Sequence, residues 1–325
     1  MATPEYVSSG HLPPADRVQS LIDEAHERFR TSDGGTNAQI YPALAAASRD
    51  LFGICVCETS GAIHAAGDAI VEFALMSVSK PFVFAIVCQV LGPVDARARL
   101  GVNATGLPFN SLEAVQRSPD GRTNPMVNSG AITATSLVPG DSVQDKWRAI
   151  QNGLSRFAGR ELDLDHEVYD SASRTNQVNR GLAAELAQRG QLACSPEAST
   201  ELYTRQCSLS VSARDLAVMG ATLADGGVNP LTRERVVDQE VCRYSLAVMT
   251  TAGLYETSGD WLYDVGLPGK SGIGGGIVTV SPGKGGFGAF APRLDDAGNS
   301  VRGQLAARFL SRRLGLDLFA SEPEE

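Results

Sequence analysis

The chain has 325 residues, of which 43% are hydrophobic and 20% are charged, a composition typical of a globular protein. Its formal net charge of −9 argues against a nucleic-acid-binding protein, which would carry clustered lysine and arginine. The N-terminus lacks the basic start of a secretory signal, and the longest apolar run, 81–91, is far shorter than the roughly 20 residues of a membrane span. We therefore expect a soluble cytoplasmic protein that binds neither nucleic acid nor membrane.

The six cysteines and four histidines show no pattern of a disulfide framework or a metal site. Several cysteines stand in apolar runs, and in a chain without a secretory signal such residues are expected to be buried and reduced. Cys55 and Cys57 are separated by one residue, which is wrong for a zinc knuckle but places both side chains on one face of a strand. We predict no metal and no cofactor.

In chain order, the predicted elements begin with an N-terminal arm at 1–15 and a helix at 16–30. Two strands follow around the turn 59–61, and then a buried helix that contains Ser77 and ends at Gly92. The segment 99–214 is largely helical, and a further helix is predicted from an N-cap at Ser212 to Gly226.

Strand patterns return at 264–272, 275–283 and 285–293, the last two joined at Pro282–Gly283. A helix at 300–315 precedes the acidic tail 319–325. Because strands occur near both ends of the chain, we predict an α/β sandwich built from 16–98 and 215–318, with 99–214 inserted as a helical subdomain.

The stretch GLPGKSGIGGGIVTV, residues 266–280, combines a lysine and a serine with many glycines. It could bind a phosphate, pass close to a reacting carbonyl, or form only a tight turn. A Walker loop would need glycine where the chain has Asp264 and a helix where it has a strand pattern. A dinucleotide fingerprint would need glycine where the chain has Ile277. Nucleotide binding is therefore disfavoured.

The carbonyl interpretation requires a nucleophile, and Ser77-Val78-Ser79-Lys80 supplies a Ser-x-x-Lys pattern. On a helix, residues three apart share a face, so the Lys80 amine is expected within reach of the Ser77 hydroxyl. A lysine can act as the base only if its pKa falls towards neutrality, which burial or a second cation would cause. Lys270 is the predicted second cation. The N–H groups of Ser77 and Ile273 are the predicted oxyanion donors.

A Ser-x-x-Lys followed by a Lys-Ser-Gly on a late strand is typical of serine β-lactamases and penicillin-binding proteins. Within that class, the chain resembles the serine-dependent glutaminases from about residue 16 to 316. The resemblance rests on segments that include FALMSVSKPF, LPFNSLEAV, TNPMVNSGAITATSL, TAGLYETSGDW, VGLPGKSGIGGGIVTVSPGKGG and GNSVRG. It implies an α+β fold of the β-lactamase/transpeptidase type, an antiparallel sheet flanked by helices. It also implies hydrolysis of a side-chain amide through an acyl-serine, without metal, in a homodimer or homotetramer.

The resemblance assigns roles residue by residue. It implies Ser77 as nucleophile, Lys80 as base, Tyr255 as the proton shuttle to the leaving ammonia, and Ile273 as the second oxyanion donor. It implies substrate-binding roles for Asn128, Asn179 and Tyr203. Without the family, both asparagines would be interpreted as loop or cap residues and the tyrosine as a core residue.

Several family positions that hold the head group of glutamine are replaced by apolar residues. Met76 stands in place of glutamine, Ala172 of a glutamate that contacts the substrate's ammonium, and Val178 of arginine. Ile40 takes the place of a tyrosine, although an alignment shift of one residue would restore Tyr41. We therefore predict an amidohydrolase whose amide or acyl substrate is less polar than free L-glutamine. The alternatives are a true glutaminase with compensating residues and a non-catalytic binding protein on the same fold.

Overall fold

The structure is a computed structural model that describes residues 10–321. Most of the predicted N-terminal arm and residues 322–325 of the predicted tail lie outside the described residues. The helices are α1 (Ala15–Phe29), α2 (Pro42–Ala45), α3 (Lys80–Leu91), α4 (Pro93–Leu100), α5 (Leu112–Arg117), α6 (Asn128–Leu137), α7 (Val143–Ala158), α8 (His166–Arg174), α9 (Gln177–Gln188), α10 (Pro196–Cys207), α11 (Ala213–Ala224), α12 (Gln239–Ala252), α13 (Ser258–Val265) and α14 (Val301–Arg313). Short 3₁₀ helices span Met76–Ser79 and Tyr255–Thr257.

The strands are β1 (Thr36–Asn37), β2 (Gly53–Glu58), β3 (Ile63–Gly67), β4 (Phe73–Ala74), β5 (Ser210–Val211), β6 (Gly269–Ser271), β7 (Gly276–Ser281), β8 (Gly285–Phe290) and β9 (Arg293–Leu294). Five of them form one antiparallel sheet in the order β3-β2-β8-β7-β6. The sheet therefore combines strands from both ends of the chain, as the sequence predicts.

The two faces of the sheet are covered by different helices. Ile54 and Val56 of β2 pack in one apolar cluster with residues of α1 and α14. Cys55 and Cys57 point to the opposite face, where they pack against α11. This alternation is the expected consequence of the two-residue period of a strand. All six cysteines are free thiols.

The helices α4 to α10 lie between residues 93 and 207, in the segment that separates the two groups of strands. The antiparallel pair of β4 and β5 joins the two ends of this segment, with Phe73 opposite Val211. Helix α3, which follows the predicted nucleophile, packs against α6 and α7 of the same segment and against α12. The boundaries of a separate helical subdomain at 99–214 stay a prediction. Within residues 10–321, no helix is long and apolar enough to cross a membrane.

Some predicted boundaries are wrong. The buried helix predicted to contain Ser77 begins only at Lys80, because Phe73–Ala74 form β4 and Met76–Ser79 form a separate 3₁₀ helix. The strand predicted from residue 264 begins only at Gly269, because α13 continues to Val265 and ends at Gly266, whose backbone is left-handed with φ of 69°. Helix α11 confirms both predicted ends, because Ser212 is its N-cap and the left-handed Gly226, with φ of 60°, follows the C-cap Asp225 as the stop.

Candidate active site

Ser77 lies on the 3₁₀ helix that leads directly into α3. The preceding chain is held beside the start of β5, because the Leu75 N–H donates at 2.8 Å to the carbonyl of Leu209, the residue before that strand. Met76, immediately before the serine, has a left-handed backbone with φ of 48°. This sharp turn between a strand and a helix places a buried serine at the boundary of the sheet and the helical segment.

The Lys80 amine is buried, with only 1% of the residue exposed. It donates to the Asn128 Oδ1 atom at 2.8 Å and to the Met126 carbonyl at 3.3 Å. Both partners are neutral, and burial lowers the pKa of Lys80 to about 7. A substantial fraction of this lysine is therefore an uncharged amine near neutral pH.

The spacing predicts a direct hydrogen bond between the Ser77 hydroxyl and the Lys80 amine. In the described part of the chain, residues 10–321, these two groups form no such bond. The Tyr255 phenol donates to the Ser271 carbonyl at 3.3 Å, and its interaction with the Ser77 side chain lowers the pKa of the phenol. Burial raises the pKa of Tyr255 to about 12, and the interactions with Ser77 and Ser271 oppose that rise. The phenol is therefore protonated at neutral pH and lies beside the nucleophile.

Lys270 lies on β6, where its amine donates to the Gly253 carbonyl at 2.7 Å and to the Ser271 carbonyl at 2.6 Å. The amine also lies 4.1 Å from the centroid of the Tyr255 ring. Burial lowers the pKa of Lys270 well below its ordinary value, and the charge of Lys80 lowers it further. The predicted effect of Lys270 on the pKa of Lys80 is corrected accordingly, because burial is the cause at Lys80.

The turn between β6 and β7 lies against the backbone around the nucleophile. A Cβ atom on Gly272 would lie 3.2 Å from the Ser77 nitrogen, and one on Gly274 would lie 2.4 Å from the Ala74 carbonyl oxygen. At Gly274 a side chain would collide with this backbone, whereas at Gly272 it would make a tight contact. In residues 10–321, the Ser77 and Ile273 N–H groups donate to no backbone carbonyl outside the helices and strands. Both donors are therefore available to a substrate oxygen.

A small cavity of about 50 Å³ opens beside Ser77 and Ile273. All six predicted substrate-binding residues line it: Ile40, Met76, Asn128, Ala172, Asn179 and Tyr203. Sequence reasoning missed other residues that line it, among them Tyr41, Phe109, Asn176, Thr204 and Cys207. Among the described residues that line the cavity, none is an aspartate, glutamate, lysine or arginine.

The sequence leaves open whether Ile40 or Tyr41 takes the place of the family's tyrosine, and both residues line the cavity. Ile40 is 45% exposed at the rim of the cavity, whereas Tyr41 is only 8% exposed and also lines it. Burial raises the pKa of Tyr41 to about 12. A protonated tyrosine side chain is therefore available to this pocket one position after the replaced one.

Cys207 is the second potential nucleophile in the cavity. Burial raises the pKa of its thiol to about 11, although the charge of Lys80 opposes the rise. Because the thiolate is the reactive form, a thiol with this pKa does not compete with Ser77 near neutral pH.

Hydrogen-bonded side chains connect the wall of the cavity to Lys80. Asn128 Nδ2 donates to Asn179 Oδ1 at 2.9 Å, and Asn179 Nδ2 donates to Asn176 Oδ1 at 2.7 Å. Asn176 Nδ2 donates to Thr204 Oγ1 at 2.8 Å. The Tyr203 hydroxyl donates to Asn128 Oδ1 at 3.1 Å. Asn128 and Asn179 therefore form one polar network and are not separate loop or cap residues.

A larger cavity, of about 700 Å³, lies between α4 and the segment 101–123. None of the predicted site residues lines it. We place the reaction at the smaller cavity because Ser77 and Ile273 line it together with Asn128, which accepts a hydrogen bond from the Lys80 amine behind the wall.

Comparison with known proteins finds a family model, relatives and solved structures that match nearly the whole chain. The family model described as Glutaminase matches residues 35–319. Glutaminase 2 of Yersinia pestis is 67% identical over 319 residues, covering 98% of this chain and 94% of the relative. The solved structure of the probable glutaminase ybaS has a TM-score of 0.93 at 41% identity, over 95% of this chain and 100% of that chain. Mglu, solved in its glutamate form, has a TM-score of 0.88 at 38% identity, over 96% and 71% of the two chains. These neighbours share the β-lactamase-like fold, and the predicted fold class is confirmed.

Proposed function

The chain belongs to the glutaminase family of serine amidohydrolases, and on that premise we propose that it hydrolyses L-glutamine to L-glutamate and ammonia. The observation that carries the proposal is the buried Lys80 amine, whose pKa of about 7 makes it a base near neutral pH, three residues after Ser77. The close relative named Glutaminase 2 and the glutamate form of Mglu support glutamine as the substrate.

The first chemical step forms an acyl-enzyme. Ser77 Oγ attacks the side-chain carbonyl of the substrate while its proton passes to the Lys80 amine. The carbonyl oxygen becomes an oxyanion, which the N–H groups of Ser77 and Ile273 stabilise. Both hydrogens of the neutral amine have oxygen acceptors, so its lone pair is the part that receives the proton.

The second step expels ammonia. The Tyr255 phenol donates its proton to the leaving nitrogen, and the protonated Lys80 replaces the proton on the phenol, so the charge on both groups returns to neutral. The bond between carbon and nitrogen breaks, and an ester of Ser77 remains. Water then attacks this ester by the reverse sequence of proton transfers, which releases glutamate and restores the serine hydroxyl.

A second candidate substrate is an amide with an uncharged head group. The observation that favours it is the lack of a charged side chain among the described residues that line the cavity, where an enclosed ammonium would lack a carboxylate. Against it, Ile40 and Val178 are about half exposed at the rim, which leaves a charged head group in contact with water. Asn110 and Asn176 offer neutral hydrogen-bonding groups in the same cavity.

One experiment separates these candidates from a non-catalytic protein. Ammonia release is measured with L-glutamine and with N-acetyl-L-glutaminamide, and Ser77 is tested for labelling by a fluorophosphonate with intact-mass detection. We expect faster release from L-glutamine and one label per chain. Faster release from the acetylated amide would support the second candidate, and neither release nor labelling would support a binding protein.

Two variants make that experiment specific. Ser77→Ala should abolish both release and labelling. Ser245→Ala is the matched control, because Ser245 is a buried serine whose hydroxyl has no hydrogen-bond partner within residues 10–321. Full activity in Ser77→Ala would contradict the proposed mechanism.

A further inference from the structure

We propose that Thr204 and Asn176 are positioning residues for the Lys80 amine. They stand at the far end of a row of hydrogen-bonded side chains that continues through Asn179 and Asn128 to the amine. The row fixes which end of the Asn128 amide faces the amine. This inference rests on the proposed role of Lys80 as the base.

The direction of the row is determined at its far end by a backbone carbonyl of α10. The Thr200 carbonyl can only accept, so it takes the single proton of the Thr204 hydroxyl at 2.7 Å. The Thr204 oxygen then accepts from Asn176 Nδ2, and the Asn176 oxygen is turned towards Asn179. Asn179 repeats the arrangement and accepts from the Asn128 Nδ2 atom. Each amide therefore has one permitted orientation.

At the near end, this orientation presents the Asn128 oxygen to the Lys80 amine at 2.8 Å. The Tyr203 hydroxyl donates to the same oxygen, and the Met126 carbonyl accepts the second hydrogen of the amine. A neutral amine has two hydrogens and one lone pair. With both hydrogens on oxygen atoms, the lone pair is left for the proton of Ser77.

A reversed Asn128 amide would have the opposite effect on both forms of Lys80. Its NH₂ group would donate to the lone pair of the neutral amine and block proton transfer from Ser77. It would also repel the ammonium, which would lose one of its acceptors. Asn128, Asn179, Asn176 and Thr204 are all buried, so bulk water does not readily replace a missing member.

The test removes the hydroxyl that determines the direction. Thr204→Val keeps the shape of the side chain but leaves Asn176 Nδ2 without its acceptor. We expect kcat to fall about tenfold or more, as for a loss of general-base catalysis. We also expect the acid limb of kcat/KM to move to lower pH by about one unit, since a hydrogen bond to the charged amine is lost. Asn176→Ala should reproduce both effects, and Thr204→Ser, which keeps the hydroxyl, should restore the wild-type profile.

Thr222→Val is the matched control. Thr222 is also a buried threonine in a helix, and its hydroxyl donates to the carbonyl four residues earlier, that of Val218, at 3.0 Å. Its loss should lower the melting temperature without moving the acid limb. The inference is overturned if Thr204→Val and Asn176→Ala keep the wild-type pH profile and rate, or if Thr222→Val shifts the acid limb equally.

Fluorophosphonate labelling of Ser77 separates the failure of this inference from that of the proposed substrate. If the wild type is labelled but releases no ammonia from L-glutamine, the proposed substrate is wrong. The pH dependence of the labelling rate then replaces kcat/KM in the same comparison of variants. If the wild type is not labelled at any pH, the proposed function and this inference are both overturned.

Discussion

Asn128→Asp should make the activity depend on alkaline pH. The substitution replaces the amide oxygen that lies 2.8 Å from the Lys80 amine by a carboxylate oxygen at the same place. An adjacent negative charge stabilises the ammonium, so the pKa of Lys80 should rise from its present value of about 7. Since catalysis needs the neutral amine, activity should be lost at neutral pH and recovered as the pH rises.

The separation of the two groups fixes the size of the effect. At 2.8 Å, and with an effective dielectric constant of about 20, the Coulomb attraction is on the order of 6 kcal/mol. The cost of burying the carboxylate offsets part of it, so we take the shift of about 2 pKa units that a close opposite charge commonly causes. The midpoint of the acid limb then moves to about pH 9, and the neutral fraction at pH 7 falls from about one half to about 1 in 100. Activity at pH 7 should fall about fiftyfold.

The assay is kcat/KM for ammonia release from L-glutamine between pH 6 and 10, compared with the wild type. Asn229→Asp serves as the control, because Asn229 is also a buried asparagine but binds the Arg156 and Phe157 carbonyls away from the site. It should lower stability and leave the midpoint unchanged. An Asn128→Asp profile that is lower by the same factor at every pH would refute the reasoning, because no shifted titration would then underlie the loss.

Three further predictions concern other parts of the site. Lys80→Met should abolish turnover yet raise the free energy of unfolding at pH 7 by on the order of 4 kcal/mol, because folding at that pH must strip a proton from a lysine whose pKa falls from 10.5 to about 7. In urea unfolding the gain should be greatest at or below pH 7 and should shrink as the pH rises to 10.5; a constant gain would contradict this explanation. Gly274→Ala should lower kcat about tenfold or more, because its Cβ atom would lie 2.4 Å from the Ala74 carbonyl oxygen and displace the oxyanion donor beside it. Gly181→Ala, where the Cβ atom would meet nothing within 4 Å, is its control and should retain full activity. Tyr255→Phe should slow amide hydrolysis by about a hundredfold but affect an activated ester much less, since an ester leaving group needs no proton; equal losses on both substrates would argue against a proton-donor role.

Local patterns were sufficient for the sheet and its neighbouring helices. The alternation in β2 and the turns at 59–61 and Pro282–Gly283 correspond to the strands observed on either side of them. The error at residue 264 has a local physical cause. Val265 and Leu267 are buried apolar residues that fit a strand pattern, but the left-handed Gly266 between them ends a helix. Period alone does not distinguish these two uses of a short apolar run.

The site also contains some residues that sequence spacing predicts and others that it cannot predict. Ser77 and Lys80 are close in sequence, and their spacing together with the later Lys-Ser-Gly indicates a catalytic pair. Cys207 and Thr204 reach the same cavity only through the packing of α10, more than 120 positions along the chain from the nucleophile. Asn176 had a usable signal, because it lies three residues before Asn179 and such residues share one face of a helix. The pairing of that face with Asn128 depends on tertiary contacts that spacing does not encode.

The position of Lys270 is explained better by backbone strain at Tyr255 than by an electrostatic effect on the pKa of Lys80. Among the described residues other than glycine, only Met76, Arg233 and Tyr255 have a positive φ, and two of these three flank the reaction centre. Such a conformation costs on the order of 1 to 3 kcal/mol and persists only where neighbouring contacts enforce it. At Tyr255, whose φ is 59°, the Lys270 amine supplies such contacts by joining the Gly253 carbonyl to that of Ser271. We therefore expect Lys270 to hold Tyr255 in place through these two carbonyls, whereas the lowered pKa of Lys80 is caused by burial.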